Sequence, residues 1–185
     1  MRHGLPEKLT CQGVQHDLSH LSPFVHTLPG QGPDGTDLAI RIRFESHVFS
    51  KSHDGGSPDP HDFLDENGNK RAFCQVRYNF SHCLADEVRR MLDINAMSMQ
   101  VHDKRGFYNL AVITPAGQQI TTGLHNTVIY YMHKSQLDGI HTEMRVKSCY
   151  EKHLRVDRRA KKDKIRTYAK RAYYEERRVP KPTGD

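Results

Sequence analysis

The sequence predicts an α+β domain: a mainly antiparallel sheet of about five or six strands, one packed helix and a basic C-terminal helix. Three observations carry that expectation. Strict two-residue alternation runs through LAIRIRFESHVFS, further short segments of strand character are separated by turn residues, and helical periodicity is confined to SHCLADEVRRMLD and the lysine-rich C-terminal stretch. A chain of 185 residues fits one globular core with extensions, and 36% hydrophobic content without tryptophan makes that core modest. The expected division is an irregular or flexible segment over 1–36, a single α+β domain over 37–150, and a basic helix and tail over 151–185.

Residues 1–36 include SPFVHTLPGQGPDGTD, rich in Pro, Gly and Asp and without a sustained period. From Asp37 the alternation sets Leu38, Ile40, Ile42, Phe44 and Val48 on one face and Arg41, Arg43, Glu45 and His47 on the other, a half-buried strand. HDGGSPDPHDFLDENGNK follows as a long polar loop. RAFCQVRYNF reads as a strand, and SHCLADEVRRMLD as a helix, because Leu84, Val88, Met91 and Leu92 share a face and Ser81 suits an N-cap. AMSMQVH and FYNLAVITP, separated by Asp103, Lys104, Arg105 and Gly106, read as a hairpin. TVIYYMHK and GIHTEMRVKSCY read as two more strands joined by a turn through Gln136 to Gly139. In the tail, Ile165, Tyr168, Ala169 and Ala172 fall on one face of a helix otherwise covered with cations.

Composition narrows the function classes. The longest apolar runs fall well short of a membrane span, and MRHGLPEKLT lacks the apolar stretch of a signal peptide, so the expected address is cytoplasmic, with no membrane partner. Cys11, Cys74, Cys83 and Cys149 are scattered without paired C-x-x-C spacing and read as free thiols. His16 and His20 have the four-residue spacing of one helix face, but no full structural ligand set accompanies them, so neither a metal nor a cofactor is expected. Residues 151–185 carry 13 Lys/Arg against 6 Asp/Glu, whereas residues 1–150 carry 15 against 16. An anionic partner would therefore meet the tail, through Lys161, Lys162, Lys164 and Arg166.

The chemistry-bearing pattern lies in two strands. In IHTEMRVKSC, Ile140, Met144 and Val146 face one way and His141, Glu143, Arg145 and Lys147 the other, echoing the row from Arg41 to His47. If the strands are neighbours, opposite charges pair across the sheet at roughly 0.2 to 1 kcal/mol each. The same residues meet the needs of RNA cleavage without a metal: a base for the 2′-hydroxyl proton, an acid for the leaving oxygen, and cations for the charge growing on phosphate. His47, Glu45 and Glu143 are the candidate acid and base groups; Arg43, Arg145 and Lys147 are the candidate cations. Arg77 in RYNFSHC adds a phosphate contact, while Tyr78, on the strand face of Cys74, Val76 and Phe80, reads as core. Cys83 beside His82 lacks a readable base and oxyanion hole for a thiol nucleophile.

RAFCQVRYNFSHCLADEV, FESHVFS and MRVKSCYEKH resemble the pattern of small uncharacterised bacterial proteins of prophages and mobile elements, over roughly residues 38 to 153. The order of hairpin, YYMHK strand, MRVKS strand and basic helix is also similar, more faintly, to the barnase, EndoU, colicin and RelE-like fold of ribonuclease toxins. Likeness to the last strand and tail of BrnT-like toxins implies that Arg145, Lys147 and Ser148 lie beside the substrate phosphate. The expected function is thus a metal-independent ribonuclease-like or RNA-interacting protein of a phage or mobile element. The alternatives are a non-catalytic nucleic-acid binder and a protein that binds and regulates a host or phage protein.

Overall fold

The structure is a computed structural model that describes residues 5–53, 62–102, 108–156 and 159–181. The chain opens with a hairpin of β1 (Lys8–Cys11) and β2 (Val14–Asp17). Gln12 and Gly13 both have positive φ, +51° and +77°, the backbone that a two-residue turn matched to strand twist requires. β3 (Phe24–Leu28) and β4 (Leu38–Phe44) follow. A small three-stranded sheet comes next, built from β5 (Ser50–Ser52), β6 (Phe63–Leu64) and β7 (Lys70–Phe73). Helices α1 (Gln75–Ser81) and α2 (Leu84–Asp93) lead to β8 (Met97–His102), β9 (Tyr108–Ile113), β10 (Gly123–Lys134) and β11 (Thr142–Leu154). The short β12 (Lys162–Lys164) and helix α3 (Ile165–Tyr174) complete the order.

The main sheet has seven strands in the order β12-β8-β9-β10-β11-β4-β3. It is larger than the five or six strands expected, and it is mixed, because β11 runs parallel to β4 while its other pairings are antiparallel. That parallel pair joins residues about a hundred positions apart, beyond the reach of any local pattern. β10 and β11 form a long hairpin whose register shifts between Ile129 and Tyr130: Ile129 faces Ser148 and Tyr130 faces Val146, leaving Lys147 as the extra residue of a bulge.

One sheet face is the core. Leu38, Ile40, Ile42 and Phe44 of β4 are buried with Met144 and Val146 of β11, Val128, Tyr130 and Met132 of β10, and Leu110 and Val112 of β9. The apolar stripe of α2 (Leu84, Val88, Met91, Leu92) and that of α3 (Ile165, Tyr168, Ala169, Ala172) belong to the same cluster. The alternation and both helical stripes behave as the sequence predicts. On the opposite face, a second cluster gathers Met99, Val101, Ala111, Ile113, Ile120, Ile129 and Leu154 toward the β8 side.

Several local expectations give way. RAFCQVRYNF is not one strand: β7 ends at Phe73 and the next residues turn into α1, where Tyr78 donates its hydroxyl hydrogen bond to the Asp17 carbonyl. Ser81 does not cap a helix; it ends α1, is buried, and bonds back to the Tyr78 carbonyl. The stretch expected to be irregular before Asp37 holds β1, β2 and β3, with Leu18, Leu21 and Leu28 in the core. Apolar residues spaced irregularly along a chain still bury once a sheet offers a surface. His16 lies in β2 and His20 in a 3-10 turn, so they share no helix face; His16 stacks on Phe73 and His20 on His82. The residues linking β8 and β9, and the first part of the long polar loop, lie outside the described residues.

Candidate functional site

The second face of the sheet, at its β4 end, carries the charged rows. Because β4 and β11 are parallel and in register, Glu143 sits opposite Arg41 and Arg145 opposite Arg43. The antiparallel pairing of β10 adds His133 beside Glu143 and Tyr131 beside Arg145. Arg41 and Arg43 of one expected row therefore meet Glu143 and Arg145 of the other on neighbouring strands, joined by a third strand that sequence reasoning passed over.

Glu143 is the hub. Its Oε1 lies 3.4 Å from Arg41 Nη1, and its Oε2 lies 3.7 Å from Arg43 Nη1, 3.4 Å from Arg145 Nε and 3.8 Å from His133 Nε2. Its side chain is 8% exposed, and that of Arg43 11%. One buried carboxylate thus serves three guanidiniums, two of which, Arg43 and Arg145, stand directly opposite each other. Like charges in that position repel. Burial, followed by the neighbouring charge of Arg145, pulls the Arg43 pKa below its usual value. Arg43 Nε, Arg145 Nε and Glu143 Oε2 are buried without a hydrogen bond; Arg145 Nε and Glu143 Oε2 approach to an ion-pair distance without hydrogen-bond geometry. His133 is oriented by Nδ1, 2.9 Å from the Lys134 carbonyl.

Glu45 continues the row past the end of β4, where its own N–H still bonds the Val146 carbonyl. Its carboxylate accepts from the Tyr131 hydroxyl at 3.1 Å. Burial and then the nearby Glu66 carboxylate push the Glu45 pKa up, against the pull of the Tyr131 hydrogen bond, Lys147 and Arg145. Burial and Glu45 in turn push Tyr131 up to about 12. Arg178, on the segment after α3, lies 4.3 Å over the Tyr131 ring and donates to Asn109 Oδ1. Backbone bonds in both directions between Val179 and Met132 hold that segment to the edge of β10.

His47 departs from the expected row. The strand stops at Phe44, and His47 belongs to a 3-10 turn over Ser46–Val48, so alternation no longer aims its side chain. Its Nε2 lies 3.2 Å from Asp65 Oδ2. Burial opposes ionisation of Asp65, but hydrogen bonds from Asn69 and Asn67 overcome it and hold the carboxyl below its ordinary range. Burial, then the Arg71 charge, lowers the His47 pKa.

The other expected contacts are dispersed. Arg77 lies on α1, not on a strand; it donates to the His47 and Ser50 carbonyls and covers the Tyr150 ring at 4.7 Å, so it braces the turn after β4. Arg166 spans the end of α2, donating to the Leu92 and Asp93 carbonyls, which suits a cation at a helix C-terminus. Lys162 and Lys164 belong to β12, and Lys161 precedes it, at the opposite edge of the sheet. Five strand spacings separate them from β4, roughly 24 Å. Lys147 and Ser148 occupy the bulge, next to Arg145 and within the field of Glu45.

Tyr131, His133 and Arg41 complete the cluster, and the first two were legible in principle: TVIYYMHK alternates, setting them opposite Tyr130 and Met132. Arg178 carries no such signal. Its place depends on a backbone contact that no local pattern encodes. Among the described residues, no group of three or more His, Cys, Asp or Glu side chains is arranged to hold a metal ion, and no helix is long and apolar enough to cross a membrane. No curated protein and no solved structure matches the chain. The model of the YjaZ family matches residues 8–173, nearly the whole of the sheet and its helices, and the chain belongs to that family.

Proposed function

We propose that the protein is RNA-interacting and that the arginine-rich sheet face receives phosphate. The observation that carries this reading is the opposition of Arg43 and Arg145, with Arg41 beside them and, among the described residues, Glu143 alone paired with all three. Packing alone would place apolar or oppositely charged pairs there. A face that holds like charges together is prepared for an anion, and planar guanidiniums suit phosphate oxygens. Binding of labelled RNA by the purified protein tests it. Arg43→Gln and Arg145→Gln should each weaken binding roughly 10- to 100-fold, the scale of one charge-assisted hydrogen bond. Undiminished binding by both variants would remove this face from the reading.

Metal-independent cleavage is a second reading, favoured by one observation: Glu45, with its raised pKa, lies within the fields of Lys147 and Arg145. A carboxylate whose pKa is raised is a stronger base toward a 2′-hydroxyl proton, and the cations would stabilise the charge that grows on phosphate. Glu143 fits the cleavage role poorly because it is tied to three guanidiniums, and His47 because it is held against Asp65. Cleavage with EDTA present should rise and fall with pH, and Glu45→Gln should lower it on the order of 10²-fold while sparing affinity. A wild type that binds RNA but leaves it intact at every pH would retire this second reading and keep the first.

A further inference from the structure

We propose that the arginine site takes a terminal phosphate, a monoester at the end of an RNA chain, in preference to an internal phosphodiester. The inference rests on the RNA reading above and specifies what that site recognises. Three properties of the cluster point to an end group.

The first is enclosure. The side chains of Arg43, Arg41 and Arg145 are 11%, 22% and 29% exposed, and Glu143 only 8%. A strand running through a site presents a phosphate flanked on both sides by ribose, which needs an open channel. A terminal group enters with one side free. The second is charge. Three guanidiniums face the Glu143 carboxylate, and Lys147 offsets the adjoining Glu45, which leaves an excess of two positive charges. A monoester, whose second ionisation lies near about 6, supplies up to two negative charges where a diester supplies one.

The third is the mixture of unsatisfied groups. Arg43 Nε and Arg145 Nε are donors without a hydrogen bond, and Glu143 Oε2 is an acceptor without one, all three buried. Buried polar groups left unpaired are costly, so a ligand whose entry parts Arg145 Nε from Glu143 Oε2, 3.4 Å away, and satisfies both recovers that cost. The phosphate group of an internal diester offers only acceptors, its nearest donor being the neighbouring 2′-hydroxyl. A monoester offers three terminal oxygens to the two guanidiniums where a diester offers two; its dianion adds a second charge, and its monoanion, present in quantity at about pH 6, instead offers an O–H to Glu143. One carboxylate among arginines, which would weaken diester binding by repulsion, becomes a means of discrimination.

The test compares one short RNA sequence in four forms: a 5′-phosphate, a 3′-phosphate, both ends hydroxyl, and covalently circular. Binding is measured by fluorescence anisotropy with the full chain at pH 6 and pH 7. We expect a phosphorylated form to bind roughly 10- to 100-fold more tightly than the hydroxyl and circular forms, the worth of one or two charge-assisted bonds. Inorganic phosphate should compete with the phosphorylated form more effectively than with the others. Arg43→Lys keeps the charge but loses the planar fork, so it should erase most of the preference while its thermal melt stays near that of the wild type. Equal binding of all four forms would overturn the end-group inference and leave the phosphate face standing. Failure of every form to bind would overturn both.

Discussion

The two faces of the seven-stranded sheet are built from the same strands, yet they solve opposite problems. On the helix-covered face, Ile40, Ile42, Met144, Val146 and Tyr130 are sealed beneath α2 and α3. On the other, Arg41, Arg43, Glu143, Arg145 and Tyr131 alternate with those residues one by one. The first face gains by removing apolar area from water. The second holds charges half out of water, two of them repelling, with buried polar atoms unpaired. Stability explains the first arrangement and works against the second, and natural chains retain such strain where binding uses it.

Four experiments would break or sharpen that contrast. The largest effect belongs to Glu143→Ala. It removes the carboxylate that three guanidiniums share, and breaking a buried ion cluster typically costs about 3–5 kcal/mol. Chemical denaturation should place this variant among the least stable; a loss below about 1 kcal/mol would mean that the arginines are solvated and the hub is incidental. Next come two adjacent residues of β4. Ile42→Ala should cost about 2–5 kcal/mol through the cavity it leaves. Arg43→Met, one position on and facing the other way, should change stability by less than about 1 kcal/mol, because Glu143 keeps Arg41 and Arg145 and one repulsion disappears. Equal losses for the two would show that both faces are structural.

A third experiment uses pH, where His47 and Glu45 should act with opposite sign. The folded-state pKa of His47 lies below its ordinary 6.5, so its contribution to stability is present above about pH 6.5 and is lost as the pH falls through the folded value. His47→Gln, which can still bond Asp65, should flatten the decline in stability below pH 6.5. The folded-state pKa of Glu45 lies above its ordinary 4.5, so its contribution is present below about pH 4.5 and is lost as the pH rises through the folded value. Glu45→Gln should therefore gain stability at neutral pH relative to the wild type, with the gain fading in acid. Denaturation midpoints measured across pH 4 to 8 would decide it; parallel curves for all three proteins would defeat the assignment.

The smallest effect is expected at the far edge of the sheet. Replacing Lys161, Lys162 and Lys164 together by Gln should leave stability within about 0.5 kcal/mol. If RNA reaches them, the dependence of affinity on salt should fall by about 0.7 in log–log slope for each phosphate that these lysines no longer neutralise. An unchanged slope would confine RNA to the arginine side. Truncating the chain before Lys161 would be a poor substitute, since it strips Ile165, Tyr168, Ala169, Ala172 and Val179 from the core.

Periodicity alone determined which side of β4 and β11 is apolar, that Leu84, Val88, Met91 and Leu92 form one helical stripe, and that Ile165, Tyr168, Ala169 and Ala172 form another. These follow from the fixed geometry of strand and helix, which any segment carries with it. The conversion of Gln75–Ser81 to helix escaped that reasoning because a short apolar run looks alike in either period. Only the tertiary structure decided that β4 and β11 are parallel neighbours, that Arg43 therefore confronts Arg145, that Arg178 covers Tyr131, and that Arg77 and Arg166 bind backbone carbonyls. Each depends on segments distant in sequence meeting at one register. A charge pattern records which way a side chain points from its own strand, but its partner is set by the strand that pairs beside it.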